Sequence, residues 1–209
     1  DGTFGVTGNC APLDDEAVMA IETHTFDALK QLSWRNTRLD FSTIRDLKRS
    51  LEVWPEHDFL SRKRDGEDQE ALDALSRMAE VTARANGPGR IRLLWDVCQI
   101  PDFQKHLTES HARLLAQVYL YLTDAEEKLP SDWVDGQMSR FDRTEGDIDT
   151  LMGRIAHIRT WTYITHRGDW IDDAGHWQSR ARAIEDRLSD ALHQQLTLRF
   201  VDRRSATLS

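Results

Sequence analysis

From Leu13 to Phe200 the dominant spacing of apolar residues is three and four. That period lays apolar side chains along one face of a helix, whereas a half-buried strand needs a period of two. Leu13, Ala17, Val18 and Ile21 form a first face, with Asp14, Asp15 and Glu16 suited to a helix start. Ile44, Leu47, Leu51 and Trp54 form a second, which Ser42 or Thr43 can cap (Thr43 with Asp46 three residues on) and Pro55 closes. Residues 55–68 are polar and read as a loop. Ala71, Leu72, Leu75, Met78 and Ala79 resume the helix until Asn86-Gly87-Pro88-Gly89 stops it, those glycines and the proline being read as loop.

Ile91, Leu94, Trp95 and Cys98 predict a short helix ending before Pro101, and Thr108 to Leu122 a strong one. Ser131 opens another around Trp133, Met138 and Phe141. Thr144 with Asp147 predicts the cap of a long helix through Ile148, Leu151, Ile155, Ile158 and Trp161. Gly168 and Gly175 bracket a turn around Trp170. A last helix runs from about His176 into Phe200 on Trp177, Ala181, Ile184, Leu188, Leu192 and Leu196. Phe4 and Val6, flanked by glycines, read as a short strand. The expected fold class is therefore all-α, a multi-helix bundle with a short N-terminal strand. Trp95, Trp161 and Trp177 fall on apolar stripes and are expected in the core, Trp34 less clearly so.

Composition narrows the function classes. The 209 residues carry a formal charge of −9 and a mean hydropathy of −0.60. Residues 151–209 are locally basic, with nine bases against seven acids. A uniformly basic nucleic-acid binder is excluded; a local basic face is not. No apolar run approaches the roughly 18–20 residues of a membrane span, so no membrane partner is expected. Two widely separated cysteines, Cys10 and Cys98, supply neither a disulfide framework nor a zinc ribbon. That fits a cytoplasmic setting, and no secretory leader is read at the start. The chain opens on Asp1-Gly2-Thr3-Phe4 without an initiator methionine, which leads us to expect a piece of something longer.

Catalytic motifs are sparse. The G-x-x-x-x-G-K-[ST] loop that cradles nucleotide phosphates does not occur. Asp15-Glu16 looks like an Asp-Glu helicase box but sits at a helix start, where capping explains it. His106, Glu109 and His111 miss the H-E-x-x-H spacing, Glu-x-x-His is absent, and Asp190 with His193 reads as a surface pair. No catalytic residue and no metal ligand is therefore assigned. Of the 27 basic residues, 22 are arginine. Arg35 and Arg38 precede Arg45, Lys48 and Arg49, which lie opposite the Ile44/Leu47/Leu51 stripe. Arg62-Lys63-Arg64 falls in the expected loop. Two readings stay open for these bases: a solvated helix face, or contact with backbone phosphates. Arg35, Arg38, Arg45, Lys48 and Arg49 are the candidate RNA-contact residues.

Longer blocks carry a resemblance. They are Gly2-Thr3-Phe4-Gly5-Val6-Thr7, Trp34-Arg35-Asn36, Leu39-Asp40-Phe41-Ser42, and Leu94-Trp95-x-Val97-Cys98-Gln99-x-Pro101-Asp102. The longest runs through Asp142-Arg143-Thr144-x-Gly146-Asp147-Ile148-Asp149-x-Leu151 into Arg154-Ile155-Ala156-His157-Ile158-Arg159-Thr160-Trp161. Leu196-Thr197-x-Arg199-Phe200-Val201-Asp202-Arg203-Arg204 follows near the end. Together these resemble the C-terminal accessory region of mitochondrial-degradosome-type ATP-dependent (DExH) RNA helicases, in the form of their alphaproteobacterial relatives.

The resemblance implies that residues 1–8 are the remnant strand of a preceding RecA-like motor domain. Residues 9–86 would be a connecting helical region and 87–209 a C-terminal helical bundle. It implies an accessory module that helps guide RNA and couples to the motor. ATP and magnesium would belong to the parent chain, an ATP hydrolase, with no cofactor and no catalysis in this part. Implied partners are RNA, or DNA, and the chain's own RecA-like motor domains. The alternative is a helical protein-interaction module docking a partner such as an exoribonuclease.

Overall fold

The computed structural model describes residues 15–25, 32–63, 66–104 and 109–207. The expected strand at Thr3–Val6 lies outside the described residues. Among those described, nine helices and two three-residue strands follow in the order α1 (Asp15–Thr23), β1 (Leu32–Trp34), α2 (Ile44–Leu51), β2 (Leu60–Arg62), α3 (Glu67–Leu75), α4 (Ala79–Arg84), α5 (Pro88–Cys98), α6 (Glu109–Leu122), α7 (Ser131–Ser139), α8 (Ile148–Thr165) and α9 (Ala174–Thr207). The protein is all-α, a multi-helix bundle carrying one small sheet. No described helix is long and apolar enough to cross a membrane.

The buried core extends from Leu47 on α2 to Leu188 on α9 and includes residues on both sides of position 86. Leu72 and Leu75 of α3, Leu94 and Trp95 of α5, and Leu115 and Tyr119 of α6 are buried within it. Arg84 on α4 reaches across to α6, donating to the Leu120 carbonyl at 2.8 Å. α8 and α9 run against each other through Leu151, Ile155, Ile158 and Trp161 on one side and Trp177, Ala181, Ile184 and Leu188 on the other, all buried. Three arginines on these two helices make ion pairs, one between α8 and α9 and two from α9 to α7 and the turn after it. Arg159 on α8 donates to Glu185 on α9 at 2.8 Å. Arg180 meets Asp135 of α7, and Arg187 forks onto Asp142 with both Nη2 contacts at 2.7 Å.

Trp95, Trp161 and Trp177 are buried as the stripes require, and Trp34 is half-buried. The structure corrects other expectations. Residues 55–68 are not all loop: Leu60–Arg62 pairs in parallel with Leu32–Trp34, Leu32 opposite Leu60 and Trp34 opposite Arg62, and α3 begins at Glu67. Trp54 is 61% exposed, because α2 ends at Leu51 and the stripe does not continue past its cap. Its ring instead lies under Arg62, 5.2 Å from the guanidinium carbon. The helix expected through Ala79 breaks at Ser76–Met78, where Arg77 N–H and Met78 N–H bond only three residues back.

Gly87-Pro88-Gly89 is a helix start and not a loop. Gly87 is the residue before α5 at φ 85°, ψ 161°, and Pro88 occupies the first helical position, where its missing N–H costs nothing. The cap of α8 is Asp147, whose side chain accepts from Thr150 N–H at 2.8 Å, and not Thr144. Those bonds to Thr150 hold the Asp147 carboxyl below its ordinary pKa. On α9 the packing ends one turn before expected: Leu192 is half-buried, but Leu196 is 47% exposed.

Candidate functional site

The basic segment is built on α2 and its approach. Thr43 caps the helix, accepting from Asp46 N–H at 3.1 Å and donating to the Asp46 carboxylate at 2.6 Å. That bond fixes the rotation of α2, so Leu47 and Leu51 turn inward and Arg45 and Arg49 outward. The approach is held by Asn36, whose amide donates to the Ser50 carbonyl at 2.8 Å and to the Arg38 carbonyl at 3.0 Å. Asp40 accepts from Ser42, and those bonds keep its carboxyl below its ordinary pKa, with a smaller contribution from the Arg49 charge.

The five candidate bases separate into two groups. Arg35 is turned inward: it forks onto Asp68 at 2.7 and 3.0 Å and lies over the Trp95 ring at 5.1 Å. Lys48 bridges to α3, 2.7 Å from the Asp73 carboxylate and 2.7 Å from the Ser76 hydroxyl. Both tie the approach and α2 to the bundle. Arg38, Arg45 and Arg49 are exposed. Arg49 keeps 72% of its side chain in solvent while leaning toward Asp46 of its own helix at 3.3 Å. Arg45 and Arg49 line an open cleft of about 520 Å³ with Thr43 and, across it, Asn86 and Gly87.

A second concavity, of about 310 Å³, lies among the loop after α5 and helices α6, α7 and α8. Its lining includes Asp102, His111, Phe141, His157 and Thr160. His111 is buried and donates from Nε2 to the Ile100 carbonyl at 3.2 Å. Burial holds its pKa below the ordinary imidazole value, against an opposing pull from the Asp102 charge, so the ring is neutral at pH 7. Thr160 donates to the Pro101 carbonyl at 3.1 Å. Phe141 and His157 stack with centroids 4.5 Å apart and planes within 18°. Sequence reasoning assigned no role to this group, whose members are separated by up to about sixty positions and form no local motif.

No described group of three or more His, Cys, Asp or Glu side chains is placed to hold a metal. Cys98 is buried, and burial drives its thiol pKa far upward, which leaves an unreactive thiol. Tyr119 behaves alike, its phenol pushed up to about 12 by burial while it donates to the Arg90 carbonyl at 3.2 Å. What the described surface offers is binding chemistry: exposed guanidiniums around one cleft, and a buried polar group with aromatic neighbours in another. Compared with known proteins, the chain matches no family model, no curated protein and no solved structure.

Proposed function

We propose that this chain is an accessory helical module of an ATP-dependent RNA helicase, guiding RNA and coupling to RecA-like motor domains in a cytoplasmic parent protein. The module performs no catalysis alone; ATP and magnesium belong to the motor. The sequence blocks set out above motivate the reading. The observation that carries its RNA-guiding part is the exposure of Arg38, Arg45 and Arg49, the last two lining an open cleft, on a chain whose mean charge repels RNA. Arg35 and Lys48 support the segment from within through Asp68 and Asp73. Guanidiniums in such a position meet backbone phosphates without reading bases.

The test is binding of labelled single-stranded RNA to the whole chain across a salt series. Three phosphate contacts give a log–log slope of about −2, at roughly −0.7 per contact. Replacing Arg38, Arg45 and Arg49 together by Glu is expected to remove that slope and weaken binding alike for every RNA sequence. Helix content by circular dichroism stays unchanged, because Ile44, Leu47 and Leu51 are untouched. Unchanged RNA affinity in the triple variant overturns the assignment of these residues. A wild-type chain indifferent to RNA overturns RNA guiding itself and favours the partner-docking alternative.

A further inference from the structure

Arg159, Thr162, Tyr163 and His166 follow one another on α8 at i, i+3, i+4 and i+7 and so share one face of the helix. With Phe103 and Arg167 they line a third concavity, an open groove of about 320 Å³. Phe103 comes from the turn after α5, and two bonds set that turn beside α8. Thr160 donates to the Pro101 carbonyl at 3.1 Å, and the Asp102 carboxylate accepts from Gln104 N–H at 3.0 Å. Phe103 nevertheless stays 44% exposed. A lone exposed apolar residue is ordinary on a protein surface; the cations around this ring set it apart.

The described lining of the groove holds two arginines and a histidine and no carboxylate, on a chain of formal charge −9. Arg159 is exposed and spends only its Nε on Glu185, at 2.8 Å. Arg167 lies over the Trp170 ring, 4.8 Å from its centroid. It makes no ion pair among the described residues, although Asp96 is close enough to feel its charge. His166 donates from Nδ1 to the Thr162 carbonyl at 2.6 Å, which leaves Nε2 for another partner. Neither Glu185 nor Asp96 lines the groove. Aromatic rings set among cations complement a ligand that is both flat and negatively charged. One unit of a single nucleic-acid strand is both, a base with two π-faces and a phosphate on either side. An acidic peptide brings the charge, but its Asp and Glu side chains have no ring to lay on another ring.

We propose that this groove is a base-stacking step on the path of single-stranded RNA. One base lies against Phe103 and Tyr163, and the flanking phosphates meet Arg159 and Arg167. The step rests on the RNA-guiding reading and adds to it a contact on α8, separate from the α2 arginines. Because every base has a π-face, it accepts any sequence.

The whole chain is titrated with a labelled uridine octamer and with an octamer of equal charge whose sugars carry no bases. Wild type is expected to bind the uridine octamer more tightly. Phe103→Ala weakens that octamer about fivefold or more, and leaves both the abasic octamer and the salt slope unchanged. Phe103→Trp restores wild-type affinity. Phe103→Leu keeps an apolar side chain on the turn and still loses affinity for the uridine octamer, which separates a lost ring from a lost fold. Arg159→Gln combined with Arg167→Gln makes the log–log salt slope shallower by about 1.4 for both octamers, at roughly 0.7 per contact.

A Phe103→Ala chain that binds the uridine octamer as wild type does overturns the groove. So does an equal loss for both octamers, which makes Phe103 a structural residue, or an unchanged salt slope in the double arginine variant. If the triple variant of Arg38, Arg45 and Arg49 loses RNA in the same assay, guiding by α2 stands and only the groove falls. Loss of affinity in Phe103→Ala with none in that triple variant keeps the groove and removes the α2 surface. A wild-type chain that ignores both octamers overturns RNA at both places. An acidic peptide carrying aromatic residues that then binds through Phe103 replaces RNA by a protein partner.

Discussion

Arginine has two roles in this protein, and its neighbours decide which. Where a carboxylate faces it from another element, as Asp68 faces Arg35 or Asp142 faces Arg187, the planar fork acts as a cross-brace. Where none does among the described residues, as at Arg38 and Arg45, the charge stays in solvent. Titration is also a residue-scale property, and His111 makes it measurable. Burial keeps its folded pKa below the ordinary value, so between the two values the unfolded chain binds a proton that the folded chain does not. Stability must then fall as the pH drops below about 6.5, and the loss stops growing once the folded pKa is passed. Urea unfolding at pH 7 and pH 5 is expected to show wild type losing more stability than His111→Gln. Equal losses would refute a neutral buried His111.

At the scale of elements, the helix boundaries are set by local chemistry. Thr43 with Asp46, Asp147 with Thr150, and Gly87-Pro88 each start a helix through bonds or dihedrals spanning four residues or fewer. The Gly87 backbone, at φ 85° and ψ 161°, lies in a region essentially reserved for glycine. Nothing lies within 4 Å of where its Cβ would be, so a substitution there probes the backbone alone. Gly87→Ala is expected to cost about 2 kcal/mol, read by urea denaturation, without displacing any neighbouring side chain. A loss below about 0.5 kcal/mol would mean that α5 starts by another route. The β1–β2 pair is the opposite case. Two three-residue strands 28 positions apart carry no readable alternation, and they exist because the chain returns past α2 to lie beside itself.

For the whole molecule, the largest single association among the described residues is α8 on α9, where a buried apolar seam is flanked by the Arg159–Glu185 ion pair. The magnitudes differ in kind. Deleting the buried part of Ile184 leaves a cavity and is expected to cost about 3 kcal/mol. Arg187→Ala removes a half-exposed pair and is expected to cost less than about 1 kcal/mol. Because one core joins α2 to α9, far-ultraviolet circular dichroism and tryptophan fluorescence should report the same urea midpoint for Ile184→Ala. Separated midpoints would show that the α8–α9 pair unfolds apart from the rest.

The all-α class, most helix positions and the burial of Trp95, Trp161 and Trp177 were legible in the sequence, because period and capping act within a few residues. The sequence groups Arg45, Lys48 and Arg49 opposite the apolar stripe of α2, but in the fold only Arg45 and Arg49 are exposed, and Lys48 turns onto α3. Which of those bases remain exposed was not legible. Asp68 and Asp73 lie about 25–35 positions from Arg35 and Lys48 and meet them only when α3 docks. The second cleft was hidden for the same reason. Asp102, His111, Phe141, His157 and Thr160 converge from a loop and three helical regions, and the bare Oδ2 of Asp102 exists only once those parts have closed around it. Local spacing determined where helices form. Long-range packing decided which charges are braced, which stay exposed, and which polar groups are buried.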